Sequence, residues 1–384
     1  MVTLRILVLN AGSSTLKASL IELPQDGAGL TVLPARASAE VAWGADSTKV
    51  ADRSARVAEL VDRLRAEAGG GPIDAVGHRV VHGGGRFSAP SLVDEAVLEG
   101  IRAVRDLAPL HNGVALDAIE AARSALADVP HVACFDTAFH ATLPEEAWRY
   151  PLPRDWYDRF GVRRYGFHGL SVAWSAGRAA ELTRRPVDDL GLVVAHLGSG
   201  CSVTAVQGGR SVDTSMGWTP LEGLMMGTRA GSVDPGILVR LLEGGAVSPR
   251  ELGEALDHGS GLLAVAGTAD MRSIVAAAEA DAAPAALALS MFVRRVAAGI
   301  AAAATSLERL DAIVFTAGIG ERSARVRAEV VGRLGTLGVG AIADPDGGED
   351  AVLSQPGARV SVLRIAARED LVIARETAAL VAGR

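Results

Sequence analysis

The chain of 384 residues contains little cysteine, and its net charge is weakly acidic. Two cysteines, Cys134 and Cys201, exclude a scaffold held together by several disulfides and favour a reducing compartment, so we expect a cytoplasmic protein. A net charge of −7 disfavours a nucleic-acid-binding surface. The N-terminus does not have the pattern of a signal peptide. The Ala-rich stretch 296–304 is short and flanked by charged residues, which predicts a packed helix and not a membrane span.

The chain also lacks the GxxxxGK[ST] spacing of a P-loop. In its place are two related patterns, ILVLNAGSSTLKASLIE at 6–22 and LVVAHLGSGCSVTAVQGG at 192–209. Each is an apolar run, a Gly/Ser turn and a second run, and small residues let backbone N–H groups approach a phosphate closely. One such hairpin in each half predicts duplicated α/β halves that handle a nucleotide. Lys17, one of only two lysines, could supply a compact positive charge there or be an ordinary surface residue.

Strand patterns alternate with helical patterns along the chain, which predicts a mixed α/β fold. A surface loop is expected over 341–358, and the irregular stretch 143–164 is expected to lie near a domain boundary. The predicted strands are 4–9, 15–22, 73–81, 131–136, 192–198, 202–207, 211–214, 311–317 and 359–366. The predicted helices are 49–67, 94–108, 113–127, 234–243, 284–307, 323–334 and 369–382.

Several charged residues follow or end these strands. Arg79 lies in a strand pattern, and a half-buried arginine needs an anion, which a substrate carboxylate or phosphoryl group would provide. Asp136 ends the strand HVACFD and could be a Mg²⁺ ligand or a helix N-cap. The long loop 214–235 holds Arg229, and a structureless stretch of this length is usually functional. AGIGERS at 317–323 predicts a glycine loop between a strand and a helix, which can seat a nucleotide.

The chain resembles a known family over almost its whole length. The ordered motifs LNAGSSTLK, GHRVVHGG, LAPLHN, FDTAFH, RRYGFHG, VDTSMGWTPLEGLMMGTRAGSVDP and FTAGIGE are similar to those of the acetate/propionate/butyrate kinase family, within the actin–hexokinase–Hsp70 superfamily. The resemblance implies two duplicated actin/hexokinase-like, ribonuclease H-like α/β domains around a nucleotide cleft. It implies domains at 1–145 with 371–384 and at 146–370, and a homodimer.

The resemblance further implies direct in-line transfer of the ATP γ-phosphoryl group to a short carboxylate, with ADP as the other product and Mg²⁺ or Mn²⁺ as cofactor. Small-molecule substrates are then the expected partners. The catalytic residues implied are Arg79, Asp136, His168 and Arg229, with His111 in support. The metal would be organised by Asn10 and Glu369, together with Asp136. The implied nucleotide and phosphate contacts are Asn10, Ser13, Thr15, Lys17, His196, Gly198, Ser199, Gly200, Asp270, Met271, Arg272, Gly318, Ile319, Gly320 and Arg322.

The implied apolar wall around the acyl group consists of Val81, Leu110, Phe167 and Pro220. Valine at position 81 fills space that a smaller residue opens for propionate in relatives. One methylene in such a pocket is worth about 1–3 kcal/mol. We therefore expect acetate to be preferred and propionate to react slowly.

Three departures from the family pattern leave alternatives open. Ser199 stands where Asn is usual in HLGNG, and Arg322 stands where GENS has Asn, so diphosphate is an alternative phosphoryl donor. AARED at 366–370 replaces TNEEL, so Asp370 could exchange roles with Glu369. A propionate or butyrate kinase is a further alternative. A non-enzymatic nucleotide switch of the actin or Hsp70 type is disfavoured, because those proteins lack the Arg79, Arg229 and His168 set.

Overall fold

A computed structural model of the protein describes residues 3–12, 15–24, 35–42, 50–344 and 349–383. The strands are β1 Thr3–Ala11, β2 Thr15–Pro24, β3 Ala37–Ala42, β4 Ala75–Val80, β5 Ser91–Leu92, β6 His131–Phe135, β7 Gly191–Leu197, β8 Cys201–Gln207, β9 Arg210–Thr214, β10 Ala312–Thr316, β11 Ala351–Val352 and β12 Ser361–Arg364. The helices are α1 Val50–Glu67, α2 Glu95–Ala103, α3 Pro109–Ala125, α4 Glu145–Trp148, α5 Arg154–Phe160, α6 Gly169–Thr183, α7 Pro235–Glu243, α8 Pro249–His258, α9 Gly261–Ala266, α10 Met271–Glu279, α11 Ala283–Ala304, α12 Ala317–Arg322, α13 Ala324–Gly332 and α14 Glu369–Ala382. Short 3₁₀ turns occupy Arg105–Leu107, Ala138–Thr142, Val187–Asp189 and Gly335–Leu337.

The two six-stranded sheets have the same topology. The first has the order β3-β2-β1-β4-β6-β5 and the second, from its opposite edge, β9-β8-β7-β10-β12-β11. In each, three antiparallel strands are followed by two parallel pairings and a short antiparallel edge strand. The predicted α/β class with duplicated halves is therefore confirmed.

The described chain forms two compact units, each with one of the sheets. The first unit comprises Met1–Ala141, Phe167–Trp174 and Arg368–Arg384, and the second comprises Thr142–Gly166 and Ser175–Ala367. In the first unit, side chains of β1, β2 and β4 pack against α1 and α3 in a continuous core. The domain limits expected from the sequence stay a prediction. They differ from the two compact units chiefly at Phe167–Trp174, which the expected limits assign to the second domain and which belongs to the first unit.

All nine predicted strands and all seven predicted helices are present, with ends shifted by a few residues. The short edge strands β5 and β11 escaped notice because two residues carry no periodicity. α6 was missed for a different reason: nearly every residue from Gly169 to Ala179 is buried or half-buried, so the helix has no polar face to create a pattern.

One prediction about a loop is wrong. The segment 317–323 is not a glycine loop, because α12 begins directly after β10, at Ala317. The described part of 341–358 is mostly irregular, as expected of a surface loop, but it contains β11, which pairs with β12, and an isolated bridge between Ile342 and Ser354. The predicted long loop 214–235 is confirmed, since this fully described stretch has neither helix nor strand between Thr214, where β9 ends, and Pro235.

Two stretches of the described chain are long and apolar enough to cross a membrane by composition alone, namely 261–279 and 283–304. The first is interrupted, because α9 ends at Gly267 with φ +75° and α10 begins only after Asp270. The second is α11, whose buried face includes Leu289, Phe292 and Ile300. The buried face of α11 is typical of a core helix in a folded protein.

Candidate active site

In the first unit, the carboxyl ends of three neighbouring parallel strands bring polar side chains together. Asn10 lies near the end of β1, Arg79 near the end of β4, and Asp136 directly after β6. The ends of parallel strands are where α/β sheets bind ligands. Arg79 Nε donates to Asp136 Oδ1 at 3.1 Å, and Arg79 Nη1 donates to Asn10 Oδ1 at 3.3 Å. A fourth member, Glu369 of α14, places Oε2 3.4 Å from Arg79 Nε.

This cluster is strongly shielded from solvent. The side chain of Asp136 is 1% exposed and that of Arg79 is 19% exposed. Burial raises the pKa of Asp136 to about 6, and repulsion by Glu369 adds to the effect while Arg79 opposes it. Burial disfavours the charged guanidinium, but Asp136 and Glu369 outweigh it and raise the pKa of Arg79. The anion that we expected Arg79 to need is thus already supplied by two protein carboxylates.

The structure separates the two candidate acids at the start of α14. Asp370 is paired with Arg368, which lies two residues before it in the chain, through two hydrogen bonds of 2.9 Å. Glu369 faces Arg79 instead. Of the two, Glu369 is therefore the member of the cluster.

His168 is positioned by the start of α6. Its backbone has φ +60°, which is uncommon for a residue with a side chain and costs conformational energy. The next residue, Gly169, donates its backbone N–H to Asp136 O at 2.9 Å. A Cβ at Gly169 would overlap that carbonyl, so only glycine permits this approach. His111 lies in the first turn of α3 in the same unit.

The first glycine-serine hairpin is only partly described. Asn10 and Lys17 face each other across β1 and β2, with Lys17 exposed. Gly12 N donates to Thr15 O at 2.8 Å and closes the turn. Ser13 lies outside the described residues.

The four predicted acyl-wall residues fall in both units. Val81 and Phe167 are buried in the first unit, at 7% and 1% exposed. The ring of Phe167 meets His82 edge to face at 5.3 Å between centroids. Leu110 lies at the start of α3, and its side chain is outside the described part of the chain. Pro220 belongs to the second unit.

The second unit contains a cavity of about 540 Å³ that collects most of the predicted nucleotide residues. Of these, it is lined by Gly198, Ser199, Asp270, Met271, Arg272, Gly318, Ile319 and Arg322. The turn between β7 and β8 provides the first two, the start of α10 the next three, and α12 the last three. Small residues leave room there for a planar or phosphorylated ligand.

The remaining predicted nucleotide residues are not part of that lining. Gly320 is buried, and a Cβ on it would face Phe315 and Ala195 in the sheet, away from the cavity lining. His196 is 8% exposed on β7. Gly200 supports the turn, because its carbonyl accepts from Gly198 N at 3.0 Å. Asp270 also caps α10 by accepting from Arg272 N at 3.3 Å.

Sequence reasoning missed one side of the cavity. Val275, Ala276 and Glu279 also line it, three, four and seven residues after Arg272. That spacing puts them on one face of α10, so recognising the helix would have identified them. Arg325 at the cavity mouth pairs with Glu279 at 3.3 Å.

Arg229 is held within the long loop of the second unit. Its Nη1 donates to Pro220 O at 3.3 Å, and its Nε lies 3.7 Å from Asp257 Oδ1. The side chain is 19% exposed. Burial lowers the pKa of Arg229, and Asp257 opposes this shift.

The acidic residues of the first cluster do not form a complete metal centre on their own. Among the described residues, no group of three or more His, Cys, Asp or Glu side chains gathers at one point. Asp136, Glu369 and Asn10 nevertheless surround Arg79 with carboxylate and amide oxygens, the donors that Mg²⁺ prefers. The chemistry of these donors suits a magnesium ion, and in this structure the same oxygens are engaged with Arg79.

Two copies of one sheet topology, a half-buried arginine between carboxylates and a glycine-lined cavity are features compatible with an α/β phosphotransferase. The model of the acetokinase family matches residues 5–375. The acetate kinase of Deinococcus radiodurans is 47% identical over 98% of each chain. The crystal structure of Porphyromonas gingivalis acetate kinase has a TM-score of 0.86 at 32% identity, covering 98% of this chain and 100% of that one. A propionate kinase from Francisella tularensis has a TM-score of 0.85 at 35% identity, covering 97% and 99%. The chain belongs to the acetokinase family.

Proposed function

We propose that this protein is an acetate kinase, which reversibly transfers the γ-phosphoryl group of ATP to acetate and gives acetyl phosphate and ADP. The observation that carries the proposal is the 47% identity to the Deinococcus radiodurans acetate kinase over 98% of each chain. The buried arginine–carboxylate cluster of the first unit and the cavity of the second are compatible with it.

The reaction is an in-line displacement at phosphorus. An oxygen of acetate forms the new P–O bond while the bond to the β,γ-bridging oxygen breaks, and that electron pair leaves with ADP. Acetate is already ionised at neutral pH, so the attack needs no general base. The enzyme's contribution is then positioning and stabilisation of charge on the three equatorial oxygens.

We assign these tasks to a small set of side chains. Arg79 and Arg229 hold the carboxylate and the equatorial oxygens, and His168 hydrogen-bonds the phosphoryl group in transfer. His111 supports the same group. Asp136 and Glu369 keep Arg79 charged and oriented, which the 3.1 Å and 3.4 Å contacts favour. Burial of Asp136 makes these contacts insensitive to solvent and salt.

Mg²⁺, with Mn²⁺ as the alternative, is the proposed cofactor. Asp136, Glu369 and Asn10 would hold it, with Asp136 and Glu369 acting directly or through water. When bound, the ion neutralises phosphate charge and orients the phosphates. ATP or ADP would occupy the 540 Å³ cavity with its adenosine end. Asn10, Ser13, Thr15 and Lys17 would bind phosphates in the first unit, and His196, Gly198, Ser199 and Gly200 in the second.

Propionate is the second candidate substrate, since the Francisella tularensis propionate kinase is 35% identical over nearly the full length. We favour acetate because Val81 is a branched side chain in the acyl wall and is 7% exposed. The diphosphate alternative depends on Ser199 and Arg322, both of which line the cavity.

We also propose a cytoplasmic homodimer whose domains are 1–145 with 371–384 and 146–370. The described helix α7 buries none of its residues, and Ile237 and Val239 are 53% and 52% exposed. Exposed apolar residues in such a patch are typical of an interface, here with a second copy of the chain. Sedimentation velocity of the purified protein tests this, because a monomer at micromolar concentration contradicts it.

The experiment that tests the activity is a steady-state comparison of acetate, propionate and butyrate with Mg·ATP, with the acyl phosphate trapped by hydroxylamine. We expect kcat/KM to be highest for acetate and lower by about tenfold or more for propionate. A higher kcat/KM for propionate or butyrate would reassign the substrate within the same reaction.

A further inference from the structure

Two motifs contain charged residues to which the proposed mechanism gives no task. Arg164 lies in RRYGFHG, and Glu222 lies in the long loop between Thr214 and Pro235. In the structure these residues meet: Arg164 Nη2 donates to Glu222 Oε1 at 2.8 Å across a sequence separation of 58 residues. The other oxygen of the same carboxylate accepts from the hydroxyl of Tyr150.

The loop backbone closes around these three side chains. Arg164 Nη1 donates to the carbonyls of Thr214, Ser215 and Met216 at 3.0, 3.1 and 3.0 Å. The Tyr150 hydroxyl also accepts from Trp218 N at 3.2 Å. The cluster therefore binds loop residues 214–218 through the backbone and residue 222 through its side chain.

Gly217 completes this arrangement. A Cβ at this position would overlap both Glu222 Oε2 and the Tyr150 hydroxyl, so a glycine is required for the two side chains to reach each other. The carbonyl of Gly217 accepts from Tyr165 N at 3.1 Å and Gly166 N at 3.3 Å. The segment after Tyr150 is thus joined to the loop through the side chains of the cluster and also through the backbone of Tyr165 and Gly166.

The cluster is half-buried, with the side chains of Arg164 and Glu222 17% and 35% exposed. Burial raises the pKa of Tyr150, so its hydroxyl keeps its proton at neutral pH and remains a donor to Glu222. A hydrogen bond to a charged group is stronger than one between neutral groups. Because this loop has no helix or strand of its own, such side-chain bonds replace regular structure in fixing its shape.

The turn held in this way, residues 217–222, carries two elements of the proposed acetate site. Pro220 is one of the acyl-wall residues, and its carbonyl accepts from Arg229 Nη1 at 3.3 Å. A shift of the turn would therefore move Pro220 and withdraw a hydrogen bond that orients the guanidinium of Arg229.

We propose that Tyr150, Arg164 and Glu222 are positioning residues that fix Pro220 and Arg229 for the binding of a short carboxylate and set the preference for acetate over propionate. This inference rests on the proposed acetate kinase function. None of the three side chains needs to touch the substrate, and their effect is on acid binding and not on the nucleotide cavity formed by α10 and α12.

The first test is Tyr150→Phe, which removes one oxygen and leaves the ring. We expect KM for acetate to rise about three- to tenfold, the equivalent of one hydrogen bond, with KM for ATP changed by less than about twofold. The ratio of kcat/KM for acetate to that for propionate should fall, because a loosened Pro220 discriminates less against the longer acid. Glu222→Ala should have the larger effect, and Glu222→Gln, which keeps an acceptor oxygen, should recover part of it.

Tyr157→Phe is the matched control, since Tyr157 lies on α5 and stacks on Trp148 at 5.3 Å between ring centroids. Its KM values for acetate and ATP and its preference for acetate over propionate should equal those of the unmodified protein. Unchanged acetate KM and acid preference in Tyr150→Phe and Glu222→Ala, or an equal rise of the ATP and acetate KM values, would overturn the inference. If the unmodified protein forms no acyl phosphate, the proposed acetate kinase function is wrong. If it forms acyl phosphate and the variants behave as described above, only the positioning role of the three residues is wrong.

Discussion

At the scale of single residues, the central feature of the first unit is one arginine shared by three oxygen-bearing side chains. Arg79 contacts Asp136, Glu369 and Asn10, and the first of these is 1% exposed. Removing Arg79 would leave two shielded carboxylates without a cation, which is costly in itself. Loss of activity in such a variant would therefore mix a catalytic effect with a structural one.

Arg229 offers the cleaner catalytic test. Its contacts are a backbone carbonyl at 3.3 Å and a carboxylate at 3.7 Å, so its removal does not strand a buried charge. We expect Arg229→Ala to lower kcat by about 10²- to 10³-fold, the usual loss for one donor to a transition-state oxyanion. The melting temperature should change little.

The control for this prediction is Arg250→Ala, which changes an exposed arginine on α8. It should leave kcat unchanged. Turnover of Arg229→Ala within about threefold of the unmodified protein would refute the role assigned to Arg229.

Residue types and order predicted side chains that the structure brings together in the first unit, but not how these side chains pair. Asp136 could have been a helix cap, and the sequence cannot show that its carboxylate lies against Arg79, because 57 residues separate them. The sequence implied Glu369 as the carboxylate of this cluster and left Asp370 as its alternative, and the contact of Arg368 with Asp370 distinguishes the two.

At the scale of elements, the start of α6 is a tight junction in the first unit. A Cβ on Gly169 would overlap the carbonyl of Asp136, whose position is fixed by the sheet. We expect Gly169→Ala to lower the melting temperature by several degrees and to reduce kcat, since His168 must move with the helix. Differential scanning calorimetry and the hydroxylamine assay measure the two effects.

Gly253→Ala is the matched comparison, because Gly253 lies inside α8 with open space around its Cα. Alanine there should be neutral or stabilising by up to about 1 kcal/mol. Equal melting temperatures for the two variants would mean that the contact at Gly169 is not needed.

A second prediction concerns α14 and pH. Burial raises the pKa of Glu376 to about 7, with a hydrogen bond to Cys134 opposing the shift and Asp136 adding to it. The folded state then holds a proton that the unfolded chain loses near pH 4.5. Its contribution to stability is complete below pH 4.5 and is lost as the pH rises through about 7.

Glu376→Gln removes this proton-linked contribution. As the pH rises from 5 to 8, the unmodified protein loses this contribution and the variant does not. We therefore expect the melting temperature of the variant minus that of the unmodified protein to increase over this range. Parallel curves for the two proteins over that range would show that Glu376 does not titrate as described.

Elements were predicted well where one face is buried and one exposed, as in α1 and α2, since their pattern has the helical period. Prediction failed where that contrast is missing. α6 is buried on most sides, and α12 was taken for a loop because its two glycines hid a single helical turn that continues directly from β10.

At the scale of the whole molecule, the two sheets repeat one topology strand by strand. The two glycine-serine hairpins occupy equivalent places, since β1 and β2 correspond to β7 and β8 in the sheet orders. The sequence predicted this duplication from the hairpins alone. It could not predict the two-residue edge strands β5 and β11, which depend on pairing with distant β6 and β12.

Two residues of the nucleotide cavity bear on the phosphoryl donor. Ser199, in the second hairpin, and Arg322, on α12, both line the cavity of the second unit, and both depart from the motifs of the family that the sequence resembles. Serine is shorter than asparagine and leaves more space beside Gly198, which a water molecule can fill. We therefore regard both residues as variations that an ATP-binding cavity tolerates.

The most direct test of the proposed function is acyl phosphate formation from acetate, trapped with hydroxylamine, with ATP and separately with diphosphate, each with Mg²⁺. We predict product with ATP and none above background with diphosphate. Product with diphosphate alone, or no product with either donor, would contradict the assignment of this protein as an ATP-dependent acetate kinase.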